Sequence, residues 1–107
     1  MADVRTISKE DLKDKLDNKA PVQVINVLEK PEVGNLKLIL GSKNIPLSEL
    51  SHRLDELDKS KEVVVYCSSY LCTASKEAAK QLKRNGFKVK AYEGGLKEWT
   101  ESGLPIV

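Results

Sequence analysis

The chain has 107 residues, of which 40% are hydrophobic and 32% charged, and its formal net charge is +2. This length suits one domain with its own core, so we expect residues 1–107 to form a single domain. The 18 basic and 16 acidic residues are spread along the chain and form no basic stripe, which argues against nucleic acid as a partner. Without a bilayer-length apolar run or a secretory signal in the sequence, we predict a cytoplasmic protein with no membrane partner.

Strand and helix patterns alternate from the start of the chain. Arg5–Ile7 predicts a short strand, and Ser8 then caps a helix that extends to about Leu16. Val22–Val27 is a nearly continuous apolar run, which is typical of a strand covered on both faces of a sheet. No regular element is predicted between this strand and residue 43.

The middle of the chain predicts a brief extended segment over Asn44–Leu47. Ser48 is then expected to cap a helix that turns three leucines, at four- and three-residue spacing, towards the core. These leucines are Leu50, Leu54 and Leu57.

The next elements surround both cysteines of the protein. Val63–Tyr66 is a β-branched run ending in an aromatic residue and predicts a buried strand, with Cys67 at its carboxyl end. A helix is expected to begin with Ser75 as its cap and to stop at Asn85-Gly86. Its predicted buried face contains Ala74, Ala78 and Leu82.

The last pair of elements completes the alternation. Phe87–Tyr92 alternates with period two and predicts a more exposed strand, and a short helix is expected over about Leu96–Thr100. Strands alternating with helices predict an α/β fold. We expect a central, mainly parallel sheet of about five strands with helices on both faces.

Cys67 is the strongest candidate for chemistry. Ligands of parallel sheets bind beyond the carboxyl ends of the strands, where the next helix presents unpaired N–H groups and favours an anionic sulfur. The thiolate is the nucleophilic form of cysteine. A small buried apolar residue is the alternative interpretation of the same position. Two cysteines this close form no secreted disulfide framework, and with one histidine a structural zinc site is not expected.

Several motifs in order resemble the single-domain rhodanese family. The resemblance covers about residues 5 to 107. It includes Gly41-Ser42-Lys43-Asn44-Ile45-Pro46-Leu47, Tyr66-Cys67 after the valine run, Tyr92-Glu93-Gly94-Gly95, and the terminal Gly103-Leu104-Pro105-Ile106-Val107.

The resemblance implies sulfurtransferase activity without a cofactor or metal. Cys67 would attack a small sulfane-sulfur donor, carry the sulfur as a persulfide, and pass it to cyanide or to a thiol, including a protein thiol. Backbone N–H groups of the following loop would hold the negative charge. That loop comprises Ser68, Ser69, Tyr70, Leu71, Cys72, Thr73, Ala74 and Ser75.

The chain departs from the usual family pattern at several positions. Asn26 stands where the family usually has Asp, Leu28 where it usually has Arg, and Leu38 where many members have His. The loop from Cys67 to Ser75 is also about two residues longer than usual and contains no arginine. Because a bidentate guanidinium contact is absent, we expect weak activity with thiosulfate.

Cys72 leaves the chemistry of the loop open. It could resolve a persulfide on Cys67 by forming a disulfide, or it could be an inert thiol. An alternative function is a catalytically weak, rhodanese-like binding or thiol-redox module that uses Cys67 and Cys72. A related dual-specificity phosphatase is disfavoured, since its loop needs an arginine to hold a phosphate dianion.

Overall fold

The computed structural model describes residues 4–29, 38–68 and 73–106. Its five strands form one parallel sheet in the order β1-β5-β4-β2-β3. The strands are β1 (Arg5–Thr6), β2 (Val22–Asn26), β3 (Lys43–Asn44), β4 (Glu62–Tyr66) and β5 (Val89–Tyr92). The helices are α1 (Lys9–Asp17), α2 (Leu47–Leu50), α3 (Ala74–Arg84) and α4 (Gly95–Glu101), and Leu54–Glu56 forms a 3₁₀ turn.

The central strand, β4, separates two hydrophobic clusters. Successive side chains of a strand point to opposite faces, so Val63, Val65 and Cys67 enter one cluster while Val64 and Tyr66 enter the other. The first cluster includes buried residues of α2 and α3, and the second includes buried residues of α1 and α4. The predicted α/β fold, with helices on both faces of a parallel sheet, is confirmed.

Two local end signals act as the sequence predicts. The Ser8 side chain caps α1 by accepting a hydrogen bond of 3.1 Å from the Asp11 N–H. Beyond α3, Gly86 has a φ of 87°, the left-handed conformation that ends helices and that glycine adopts without steric cost. Both signals involve residues close in sequence.

The predicted cap of α3 is wrong by two residues. Thr73, rather than Ser75, occupies the N-cap position, and its carbonyl accepts the Glu77 N–H at 3.1 Å. Ser75 lies inside the first turn and is buried, with 2% of its surface exposed. The predicted buried face holds: Ala78 and Leu82 are fully buried, and Ala74 packs against them.

The single helix predicted from Ser48 is also wrong. The chain forms the short α2 and then the separate 3₁₀ turn, because Arg53 between them has a φ of −123°. Ser48 lies inside α2, and its N–H and hydroxyl both donate to the carboxylate of Glu29. Leu50 and Leu57 are nevertheless buried as predicted.

Strand β5 is less exposed than its alternating sequence predicts. Ala91 and Tyr92 are 0% and 1% exposed. β5 lies between β4 and β1 in the sheet, and its two faces are covered by different hydrophobic clusters, one containing Ala91 and the other Tyr92. Among the described residues, no helix has the length and apolar character needed to cross a membrane.

Candidate active site

Cys67 follows the last residue of the central strand. The carbonyl of Tyr66 accepts the Val27 N–H at 3.0 Å, so the pairing of β2 and β4 continues to the residue before the cysteine. This position is the carboxyl edge of the sheet. The predicted location of Cys67 is therefore what the structure shows.

The sulfur of Cys67 is not exposed. The residue is 1% exposed and packs in the cluster that contains Val65 and Ala78. It is also disulfide-bonded. The chain has two cysteines, and the second, Cys72, lies outside the described residues.

The first turn of α4 holds the backbone on the carboxyl side of Cys67. The Leu96 N–H donates to the carbonyl of Cys67 at 2.9 Å, and the Lys97 N–H donates to the carbonyl of Ser68 at 2.8 Å. Gly95, which precedes these donors, has a φ of 67°. The N–H groups that begin α4 therefore fix the main chain at Cys67 and Ser68 instead of facing solvent.

The predicted loop falls partly within the described residues. Ser68 is half-buried, Thr73 is exposed, and Ala74 and Ser75 begin α3. The remaining members of the loop, Ser69, Tyr70, Leu71 and Cys72, lie outside the described residues. The amide cradle for a persulfide stays a prediction. No group of three or more metal-ligating side chains forms within the described part of the chain.

A buried hydroxyl network supports the strand end from the opposite face. The Tyr66 hydroxyl accepts the Ile39 N–H at 3.1 Å and lies 2.8 Å from Ser42 Oγ. Ser42 donates its own proton to the Ile39 carbonyl at 2.7 Å, so Tyr66 must be the donor towards Ser42. Burial raises the pKa of Tyr66, although these hydrogen bonds oppose the shift. Sequence reasoning missed this network because its members are far apart along the chain.

Comparison with known proteins identifies the family. The rhodanese-like domain family matches residues 8–102. This chain belongs to the rhodanese-like family. A sulfurtransferase of Allochromatium vinosum is 29% identical over 105 residues, which cover 97% of this chain and 95% of that protein. A crystal structure of a rhodanese-related protein from Thermoplasma volcanium has a TM-score of 0.83 and 31% identity, covering 96% and 97% of the two chains.

A third relative has a different architecture. An HTH-type transcriptional regulator of Mycobacterium tuberculosis is 37% identical over 68 residues. These residues are 64% of this chain and 30% of the regulator, so this rhodanese-like chain spans about a third of that protein. The match indicates a shared module and does not transfer the regulator's activity.

The structure shows the contacts or burial of the three residues that depart from the usual rhodanese pattern. Asn26 Oδ1 accepts the Leu28 N–H at 2.9 Å and the side-chain amide of Asn44 at 3.1 Å. The bond from Asn44 joins the end of β2 to β3. Leu28 is 3% exposed and lies in the cluster that also contains Cys67, so an apolar residue replaces the usual arginine within a core. Leu38 is half-buried.

Two lysines near the strand ends are already paired. Lys76, in the first turn of α3, lies 2.9 Å from the carboxylate of Glu93, and Lys97 lies 2.7 Å from that of Glu101. Both cations are more than half exposed, so the pairs contribute little to stability. Each lysine charge is partly neutralised by its carboxylate partner.

Proposed function

We propose that this protein is a sulfurtransferase that carries sulfane sulfur as a persulfide on Cys67 and passes it to a thiophilic acceptor, cyanide or a thiol. The observation that carries the proposal is the position of Cys67, directly after the central strand and before α3 in a rhodanese-like chain. The partial positive charge at the start of an 11-residue helix favours anionic sulfur at that edge. No general base is needed, because the attacking group is the thiolate itself.

The charges of the chain support a preference among sulfur donors. The three arginines are Arg5 in β1, Arg53 after α2, and Arg84 at the last residue of α3. None of them lies in the loop after Cys67, and Arg53 is bound by the carboxylates of Glu49 and Glu56. A dianion such as thiosulfate therefore lacks the bidentate contact that arginine provides. We expect low activity with thiosulfate and higher activity with thiosulfonates or organic persulfides.

Sulfur loading tests the proposal directly. The reduced protein is incubated with a thiosulfonate anion, RSO2S⁻, and its intact mass is measured; the Cys67 thiolate bonds to the outer sulfur while the bond between the two donor sulfurs breaks and the sulfinate leaves. Because Cys72→Ser retains only the proposed carrier, it should gain one sulfur atom, and cyanide should remove that atom. Cys67→Ser should gain none. Sulfur uptake by Cys67→Ser, or no uptake by the Cys72→Ser protein, would refute the assignment of Cys67 as carrier.

A thiol-redox module is the second candidate function, and the disulfide at Cys67 favours it. A protein of this kind would cycle between dithiol and disulfide under an external oxidant and would not carry sulfur. The loading experiment separates the two, since a redox module forms the disulfide but never gains a sulfur atom. A phosphatase is the weakest alternative, because the loop contains no arginine to hold a phosphate.

A further inference from the structure

The disulfide at Cys67 points to a step that follows sulfur loading. We propose that Cys72 attacks the Cys67 persulfide, so that the protein releases its sulfur as sulfide and is left with an internal disulfide. The inference rests on the proposed function, since it requires the persulfide to form. It adds a second product, free sulfide, to the direct transfer of sulfur to an acceptor.

The first support is the oxidised state of Cys67 itself. Its sulfur forms a disulfide, and the chain contains one other cysteine, Cys72, five residues later in the sequence. A disulfide is the product that a resolving thiol leaves behind. Cys67 is therefore held in the oxidised state that the proposed step would produce.

The second support is the burial of Cys67. At 1% exposure, within a cluster of Val65, Ala78 and neighbouring core residues, its sulfur is poorly placed for attack by a bulky external thiol in this state. A thiol on the same short loop does not have to enter from solvent. Its effective concentration is on the order of millimolar, about a thousand times that of a protein studied at micromolar concentration.

The step balances without an external oxidant. The thiolate of Cys72 attacks the inner sulfur, the Sγ of Cys67, and a bond forms between the two cysteine sulfurs. The bond between Cys67 Sγ and the outer sulfur breaks, and the outer sulfur leaves with the electron pair as hydrosulfide. The sulfane sulfur is reduced to sulfide while the two thiols are oxidised to a disulfide. A dithiol reductant then restores both thiols for another cycle.

The test measures sulfide and protein mass together. Fully reduced wild-type protein is mixed with one equivalent of a thiosulfonate, without oxygen and without any added thiol. We expect about one equivalent of sulfide per chain, with the protein ending two hydrogen atoms lighter than its reduced form. Cys72→Ser should keep the added sulfur and release less than about a tenth as much sulfide in the same time.

The controls separate this step from loading. Cys72→Ala repeats the removal of the thiol with an apolar side chain, so a folding defect in one variant does not decide the result. His52→Gln, at an exposed position after α2, should behave as wild type. A further addition of donor after treatment with dithiothreitol and desalting should release a second equivalent.

Several results would overturn the inference. Wild-type protein that keeps the added sulfur without releasing sulfide would do so, as would Cys72 variants that release sulfide at the wild-type rate. Disulfide formation without matching sulfide would show that an external oxidant, and not the persulfide, makes the bond. If Cys72→Ser never gains sulfur, the proposed function itself fails and this step fails with it.

Discussion

Replacing Tyr66 with phenylalanine tests the buried network beside the candidate site. The substitution keeps the ring, which is fully buried, and removes only the hydroxyl. The Ile39 N–H then loses its acceptor at a residue that is 0% exposed, and the hydrogen bond to Ser42 is lost as well. Ser42 keeps its own bond to the Ile39 carbonyl, so the main cost is one buried, unsatisfied N–H.

The expected loss follows from that single donor. An unsatisfied buried donor costs about 1–3 kcal/mol, so we expect Tyr66→Phe to lower the free energy of unfolding by about 2 kcal/mol. For a domain of this size, that loss corresponds to a fall in Tm of roughly 10 °C. Urea unfolding can be followed by the fluorescence of Trp99, the one tryptophan of the chain, which is fully buried.

Tyr92→Phe is a matched control in the next strand. Tyr92 pairs with Tyr66 in the sheet register, but its hydroxyl donates to the carboxylate of Glu98, which is half-buried and can be hydrated. Its loss of stability should therefore be smaller. Equal losses for the two variants, or a loss below about 0.5 kcal/mol for Tyr66→Phe, would contradict the importance assigned to the Ile39 N–H.

The pH dependence provides a second check on the same variant. Burial raises the pKa of Tyr66 above its ordinary value of 10.0, so the folded protein retains the phenolic proton where the unfolded chain loses it. This contribution to stability is complete below pH 10 and declines as the pH rises beyond it. The gap between wild type and Tyr66→Phe should narrow as the pH rises above about 10, since lysine titrations are common to both proteins. A constant gap would refute the reasoning.

Two further predictions concern a glycine and an ion pair. Gly95→Ala should lower the free energy of unfolding by about 1–2 kcal/mol, because φ is 67° at this position. It should also slow sulfur loading, because it disturbs the N–H donors that hold the Cys67 carbonyl. Urea unfolding and the rate of sulfur loading measure the two effects, and an unchanged value of either would contradict the prediction. Hydrogen bonds from Arg53 and Lys43 lower the pKa of Glu56 to about 2. Its stabilising effect is present above pH 4.5 and is lost as the pH falls towards 2, so wild type should exceed Glu56→Gln in stability at neutral pH and lose that advantage in acid. Acid unfolding of the two proteins, followed by circular dichroism, measures this difference. Curves that stay parallel from neutral to acid pH would show that the Glu56 ion pairs do not contribute to stability.

The parts of the fold predicted from sequence depend on short-range interactions. Ser8 caps α1 because its partner, Asp11, is three residues away. The valine run of β4 predicts a buried strand because every residue in the run is apolar. Cys67 lies between this run and the start of the next helix, so the sequence also predicts that it lies at the end of the strand. The order of strands and helices then fixes the class of fold.

The parts that were missed depend on residues distant in sequence. Ser48 has the chemistry of a helix cap, but Glu29, nineteen positions earlier, binds it inside α2. Tyr92 belongs to a strand whose sequence alternates with lysines, yet it is buried in the cluster that contains Leu12 and Trp99, both distant in the sequence or in a different element. The contact between Tyr66 and Ser42 likewise spans 24 positions. Periodicity and capping rules contain no information about such pairs.

Successive side chains of β4 point to opposite faces of the sheet, so two adjacent residues, Tyr66 and Cys67, belong to different hydrophobic clusters. Tyr66 anchors the cluster beneath α1 and α4, while Cys67 enters the cluster beneath α2 and α3. A substitution beneath α1 or α4 therefore changes the packing around Tyr66, and a substitution beneath α2 or α3 changes the packing around Cys67. Directed evolution could vary the two faces in separate libraries, one selected for stability and the other for the sulfur transfer proposed for Cys67.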